Sequence, residues 1–131
     1  IRDAGMVPEE IDYINAHGTS TLLNDPAETR AIKNVFGELA YYIPVSSIKS
    51  AVGHTWGASG AVEAIASILA IKDQFIPPTI NYETADPTCD LDYVPNKGRH
   101  ASINGVISNN ASFGGKNSVL AIRKFKNGKV L

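Results

Sequence analysis

Between Gly57 and Gln74 the sequence reads GASGAVEAIASILAIKDQ, and this stretch limits the fold more than any other. Its spacing predicts a helix rich in small residues and apolar on nearly every side, which is stable in water only when neighbouring elements cover it. Such a helix belongs near the centre of a layered structure, packed on a sheet. Its apolar run, Ala61–Ile71, is interrupted by Glu63 and Ser67 and is too short for a bilayer, which needs about 20 apolar residues. No membrane partner is expected.

The segments around it supply the sheet. IDYINA (Ile11–Ala16) is apolar, β-prone and runs into glycine, as a buried parallel strand does. NDPAETRAIKNVFG predicts a helix in which Asn24 or Asp25 caps, Pro26 takes the first position and Glu28 lies in the first turn. Ala31, Ile32, Val35 and Phe36 share one face of it, and Gly37 ends it. IPVSSIKS reads as a second short strand. FIPPTINYE and ADPTCDLDYVPNKGR read as ordered loops punctuated by Pro, Asp and Asn. Ser102–Ser108 and Ser118–Phe125 read as two strands joined through a glycine-bearing loop, hence antiparallel. The order β-α-β-α, loop, β-β predicts one α/β domain over residues 1–131 with a mixed sheet. The opening IRDAGMVPEE reads as the last turn of a helix capped by Gly5, so the chain is expected to be a piece of something longer.

Charge and cysteine content narrow the function. The net charge is −1, and the 12 basic residues are scattered until the tail IRKFKNGK, read as a solvated strand end. A nucleic-acid partner would want a concentrated basic face, so none is expected. The single cysteine, Cys89, permits no internal disulfide; with no N-terminal signal pattern, the chain reads as cytoplasmic.

Two histidines stand out. NAHGTST puts His17, and KSAVGHTWGASG puts His54, beside glycine and hydroxyl residues where apolar stretches give way to turns. Strand exits are where α/β folds gather functional groups. Taken singly, each histidine fits a structural role, capping a helix or satisfying a local backbone group, as well as it fits a functional one. His17, His54, His100 and Cys89 are metal-ligand types, but without a tight pair of ligands no metal is expected. Ser20 and Ser50 lack the nucleophile elbow of serine hydrolases. As a pair, two neutral imidazoles on one carbonyl oxygen would stabilise negative charge developing there. Losing one such donor costs about 3–4 kcal/mol of barrier. Lys49 could add positive charge, and Glu63 could hold Lys49 in place.

NAHGTSTLLNDPAET, SSIKSAVGHTWGASGAVEA, PPTINYETADPTCDLDYVPN and SNNASFGGKNSVLA occur in the order found in β-ketoacyl-(acyl-carrier-protein) synthases. The chain resembles the synthase II type from about Asp3 to Phe125. The resemblance implies a thiolase-like fold of two α/β halves, of which this chain is most of the second. It implies a mixed sheet with helices on both faces and the last strand antiparallel; the half's first edge strand would be missing from this chain. It also implies a decarboxylating Claisen condensation, in which malonyl on acyl carrier protein attacks an acyl-cysteine thioester. The phosphopantetheine arm would arrive on the carrier protein, with no resident cofactor. The N-terminal half of the same enzyme would be the other partner, and the full-length protein would be a homodimer.

By the same resemblance, His17 and His54 would polarise the malonyl thioester carbonyl. Lys49, partnered by Glu63, would support the second histidine. Glu28 would organise the polar network, and Thr19 and Thr21 would bond the phosphopantetheine arm. Phe113 would be a gating residue whose N–H forms half of an oxyanion hole, with Gly114 and Gly115 letting its loop move. The nucleophilic cysteine has no counterpart, since Cys89 matches a non-nucleophilic loop position. The chain alone is therefore expected to be inactive and, with an open sheet edge, to self-associate. NNASFGGKN departs from the family's gate loop at Ala111, Ser112 and Lys116; a smaller Ala111 would widen the acyl tunnel and Ser112 would stiffen the hinge. A non-catalytic partner of the chain-length-factor kind is the alternative, but such partners commonly lack both histidines. Thiolase proper would need a second cysteine that SFGGKN does not offer.

Overall fold

A computed structural model describes residues 1–125. The part of the basic-tail reading that falls on residues 126–131 lies outside the described residues. Arg2–Ala4 form one helical turn, and Gly5 closes it at φ 64°, as its C-cap position predicts. The regular elements then run β1 (Tyr13–Asn15), α1 (Asn24–Phe36), β2 (Val45–Ser46), α2 (Lys49–Val52), α3 (Ser59–Asp73), β3 (Phe75–Ile76), β4 (Arg99–His100), β5 (Gly105–Ser112) and β6 (Lys116–Arg123).

The main sheet has the order β2-β1-β5-β6. β1 pairs in parallel with both β2 and β5, and β5 pairs antiparallel with β6, so the sheet is mixed as expected. β3 and β4 form a separate small antiparallel pair. Strand alternation sends neighbouring residues to opposite faces. On one face Ile14, Val45 and Ile107 pack with Ile32 and Phe36 of α1. On the other, Tyr13 and Val106 pack with Ala70 and Ile71 of α3. Helices thus cover both faces, and each buried aliphatic side chain contributes about 1.5–3 kcal/mol.

Several boundaries differ from expectation. β1 and β2 are shorter than the apolar runs that predict them, and Lys49 opens a helical turn instead of ending a strand. α1 begins at Asn24 itself, with Leu23 at the N-cap position and no side-chain cap from Asn24 or Asp25; Thr21 Oγ1 accepts the Asn24 N–H at 3.3 Å. Only Ile32 and Phe36 of its predicted apolar face are buried; Ala31 and Val35 are exposed. β5 starts later than predicted and runs four residues further, through Asn109 and Asn110 to Ser112.

α3 packs on the sheet as expected, and the side it presents is informative. Its sheet-facing stripe is Ser59, Glu63, Ser67, Ala70 and Ile71, spaced about one turn apart and polar at three positions. Ile65, Ile68 and Leu69 point outward, each between 44% and 59% exposed. The helix is apolar on nearly every side, yet the described residues cover one side of it, and that side is chosen by hydrogen bonding.

Candidate active site

Both histidines emerge at the same end of the sheet. β1 delivers Ala16 and His17, and Gly18 follows at φ 41°, where a side chain would sit 2.4 Å from Ser47 Cβ. This close approach needs glycine, and Ser47 Oγ donates to the Gly18 carbonyl at 2.7 Å to fix it. Glu28, one turn into α1, accepts the backbone N–H groups of His17 at 2.8 Å and Gly18 at 2.9 Å. Asn24 and Asn109 each donate to the same carboxylate at 3.4 Å. One glutamate therefore holds the His17 loop by its backbone.

His54 lies in the loop between α2 and α3. Its Nδ1 accepts the Trp56 N–H at 3.1 Å, with Ser59 Oγ also 3.1 Å away. An Nδ1 that accepts leaves Nε2 to carry the proton of the neutral ring. Trp56, at φ 52°, stacks on the His54 ring with centroids 5.1 Å apart and 19° between planes. The His17 and His54 rings meet edge to face, centroids 5.7 Å apart at 88°. The sequence-predicted pair converges.

Beneath them, Lys49 Nζ donates to Glu63 Oε1, with the two side chains only 5% and 1% exposed. A buried ion pair is costly to break, about 3–5 kcal/mol if one partner is removed. Glu63 Oε2 accepts from Asn110 Nδ2 at 2.6 Å, which is short as charge-assisted bonds are. His17 is buried at 8% exposure, and its Nδ1 has no hydrogen-bond partner among the described residues. Burial, and then the positive charge of Lys49, lower its pKa below the ordinary histidine value. His17 is thus a neutral imidazole at neutral pH.

A cleft of about 690 Å³ opens beside this cluster, lined by Thr19, Thr21, Lys49, His54, Thr79 and Tyr82 among others. Thr19 Oγ1 and Thr21 Oγ1 are 3.1 Å apart on its wall. Cys89, half-buried, lines the same cleft, its Sγ 4.0 Å from Thr88 Oγ1. A second, more apolar groove of about 1060 Å³ runs along α1 and β5 and reaches His17, with Ala111 in its lining.

Phe113, Gly114 and Gly115 form the tip of the β5–β6 hairpin and line neither cavity. Phe113 is 91% exposed. Gly114 and Gly115 have φ 79° and 77°, so the bend falls there. Ser112 pairs with Lys116 as the last rung of the ladder, directly beside the bend. Among the described residues no three His, Cys, Asp or Glu side chains stand together as metal ligands would. Sequence reasoning missed Ser47, Trp56, Ser59, Asn109 and Asn110. The last two carried no local signal, since Asn-Asn reads as loop and their glutamate partners lie 81 and 47 residues away along the chain.

Comparison with known proteins follows the same lines. Residues 1–83 match the family described as Beta-ketoacyl synthase, C-terminal domain. The chain is 55% identical over 124 residues to the 3-oxoacyl-(acyl-carrier-protein) synthase 2 of Coxiella burnetii, covering 95% of this chain and 30% of that protein. It superposes with TM-score 0.93 and 45% identity on a type II polyketide ketosynthase bound to a hexaketide, solved with its acyl-carrier protein, over 95% of this chain and 31% of that one. The ishigamide ketosynthase/chain length factor gives TM-score 0.91 and 45% identity, over 95% and 30%. The chain spans about 30% of the length of the curated relatives it matches.

Proposed function

The chain belongs to the β-ketoacyl synthase family, whose C-terminal domain it carries, and from that premise we propose that it supplies the decarboxylation site of a 3-oxoacyl-(acyl-carrier-protein) synthase. The observation that carries this reading is the meeting of two imidazoles from separate loops, centroids 5.7 Å apart, each loop tied to a buried network.

In this reading the malonyl thioester carbonyl accepts N–H bonds from His17 and His54. The bond from the malonyl carboxyl carbon to Cα breaks, carbon dioxide leaves, and its electron pair forms an enolate whose oxygen those N–H groups stabilise. The enolate carbon then attacks the acyl-cysteine thioester and expels the cysteine thiolate, with the cysteine supplied by another part of the full-length enzyme. Lys49 and Glu63 hold the polar floor, and Glu28 holds the His17 loop. Thr19 and Thr21 offer hydroxyls along the cleft to a phosphopantetheine arm brought by acyl carrier protein, and no resident cofactor takes part. Phe113 N–H would serve the acyl thioester once the hairpin tip closes on its partner half. The outward-facing Ile65, Ile68 and Leu69 are surface that such an assembly, a homodimer of full-length chains, would cover.

The test uses the full-length protein carrying this chain. His54→Ala slows carbon dioxide release from malonyl-carrier protein by about 100-fold or more, while acyl transfer to the cysteine changes little. Equal loss in both steps overturns the assignment, and a wild-type protein inert toward malonyl thioester overturns the function in favour of a chain-length-factor-like role.

A further inference from the structure

Trp56 lies beside the two histidines, and the proposed chemistry makes no use of its side chain. Its backbone N–H reaches His54 Nδ1 at 3.1 Å, a bond that any residue except proline could donate. Its φ of 52° lies in the left-handed region, which a bulky side chain occupies only at a cost; glycine or asparagine would hold the same turn with less strain. Burial does not offset that cost, because Trp56 is 74% exposed. Strain of this kind gathers at functional sites. One face of the indole lies on the His54 ring, centroids 5.1 Å apart with 19° between the planes. The space beside it is open, since a side-chain carbon at Gly57 would meet no described atom within 4 Å.

We propose that Trp56 is a specificity-determining residue, whose indole forms a flat wall beside the reacting carbonyls and favours acyl groups made planar by conjugation. The inference deepens the proposed function and rests on it. In that reading His54 bonds the malonyl thioester oxygen, and the enolate carbon comes within about 3–3.5 Å of the acyl thioester carbon to react. The first carbons of the acyl chain are therefore held close to His54, on whose ring the indole lies. A flat aromatic surface sorts chains by shape. A saturated chain is staggered at every bond and touches a ring at few points, whereas a conjugated chain is planar and stacks on it in the offset geometry that aromatic pairs prefer. Rigidity widens the difference, because a conjugated chain has fewer rotamers to lose on binding. Leucine at this position would supply apolar contact without the plane, so the chemistry would run and the discrimination would not.

The test measures condensation by the full-length protein carrying this chain, with malonyl-carrier protein and either hexanoyl- or hexadienoyl-carrier protein. The readout is the ratio of kcat/KM for hexadienoyl to that for hexanoyl, compared between wild type and variant. That comparison cancels the lower intrinsic reactivity of a conjugated thioester, and it cancels any loss through His54, which serves both reactions alike. The ratio falls about threefold to tenfold in Trp56→Leu. Trp56→Phe, which keeps a smaller aromatic plane, falls less. Should Trp56→Leu fail to fold, Trp56→Gly gives the same comparison, because it relieves the strain and keeps the N–H. An unchanged or higher ratio in the folded variants overturns the specificity role and leaves the proposed function standing. A wild-type protein that releases no carbon dioxide from malonyl-carrier protein removes both.

Discussion

Glu28 is the residue whose replacement tests most sharply how the His17 loop is held. Its carboxylate makes two short bonds, to the N–H groups of His17 and Gly18, and two long ones from asparagine amides. Glu28→Gln keeps the size and removes the charge. One of the two short contacts then becomes an amide N–H facing a backbone N–H, which leaves a donor unsatisfied at about 1–3 kcal/mol. The other survives as a neutral bond, weaker by about 1 kcal/mol than its charged form. The sum, about 2–4 kcal/mol of stability, appears as a lower urea midpoint with an unchanged slope. Decarboxylation falls further than stability requires, up to about 100-fold, because a donor displaced by a fraction of an ångström leaves the 2.7–3.1 Å window in which an oxyanion is held. Glu28→Asp keeps the charge but loses one methylene of reach, so it should fall between wild type and Gln in both measurements. A Glu28→Gln variant within about 0.5 kcal/mol of wild type, the scatter typical of surface substitutions, and with unaltered carbon dioxide release would refute the loop-anchoring argument.

Two further outcomes follow from the buried charges. His17 is kept neutral first by burial and then by Lys49, against weaker opposing effects from Glu28, Asn110 and Glu63; Lys49→Met removes the second cause and leaves Glu63 unneutralised, so the His17 pKa rises and the acid limb of the decarboxylation profile moves to higher pH, and a limb that moves the other way contradicts the site electrostatics. Tyr13 is fully buried and its phenol is pushed up to about 12 by burial; a raised native pKa gives stability present in full below the unfolded value of 10.0 and lost as pH rises toward 12, so the pH of alkaline unfolding should move upward in Tyr13→Phe, which has no proton to lose.

Much of this arrangement is legible in the sequence because the site is built where regular structure stops. Gly18 and Gly37 mark their turns, and His17 and His54 sit beside residues whose only advantage is close backbone approach. What escaped reading has a common cause. Residues in the polar layer between the sheet and α3, such as Ser46, Ser67, Ser108 and Asn110, look like loop residues by propensity, yet they are strand and helix positions whose partners lie far along the chain. Tyr13 Oη bonds Ser46 Oγ at 2.8 Å across 33 residues, and no local pattern announces such a pair. The same blindness truncated β5 at Ser108, because Asn-Asn has low strand propensity and the tertiary partners Glu28 and Glu63 override it. In α3, which is apolar on nearly every side, hydrogen bonding through Ser59 and Glu63 marks the side that faces the sheet, and no periodicity announces it.

The protonation state of His17 bears directly on the proposed chemistry. A malonyl thioester carries a carboxylate whose charge must leave as neutral carbon dioxide while charge builds on the thioester oxygen. An imidazolium near that carboxylate would bind the ground state and oppose its loss, whereas a neutral N–H aimed at the oxygen strengthens only as the reaction proceeds. Burial and the neighbouring Lys49 lower the His17 pKa, so that ring favours the neutral donor, and the Trp56 N–H given to His54 Nδ1 leaves Nε2 of that ring to face a substrate. The Lys49 ammonium could itself have bound the departing carboxylate, but its charge is committed to Glu63, whose other oxygen is committed to Asn110. The buried pair therefore does more than hold geometry: its cation adds to burial in lowering the His17 pKa while remaining paired with Glu63.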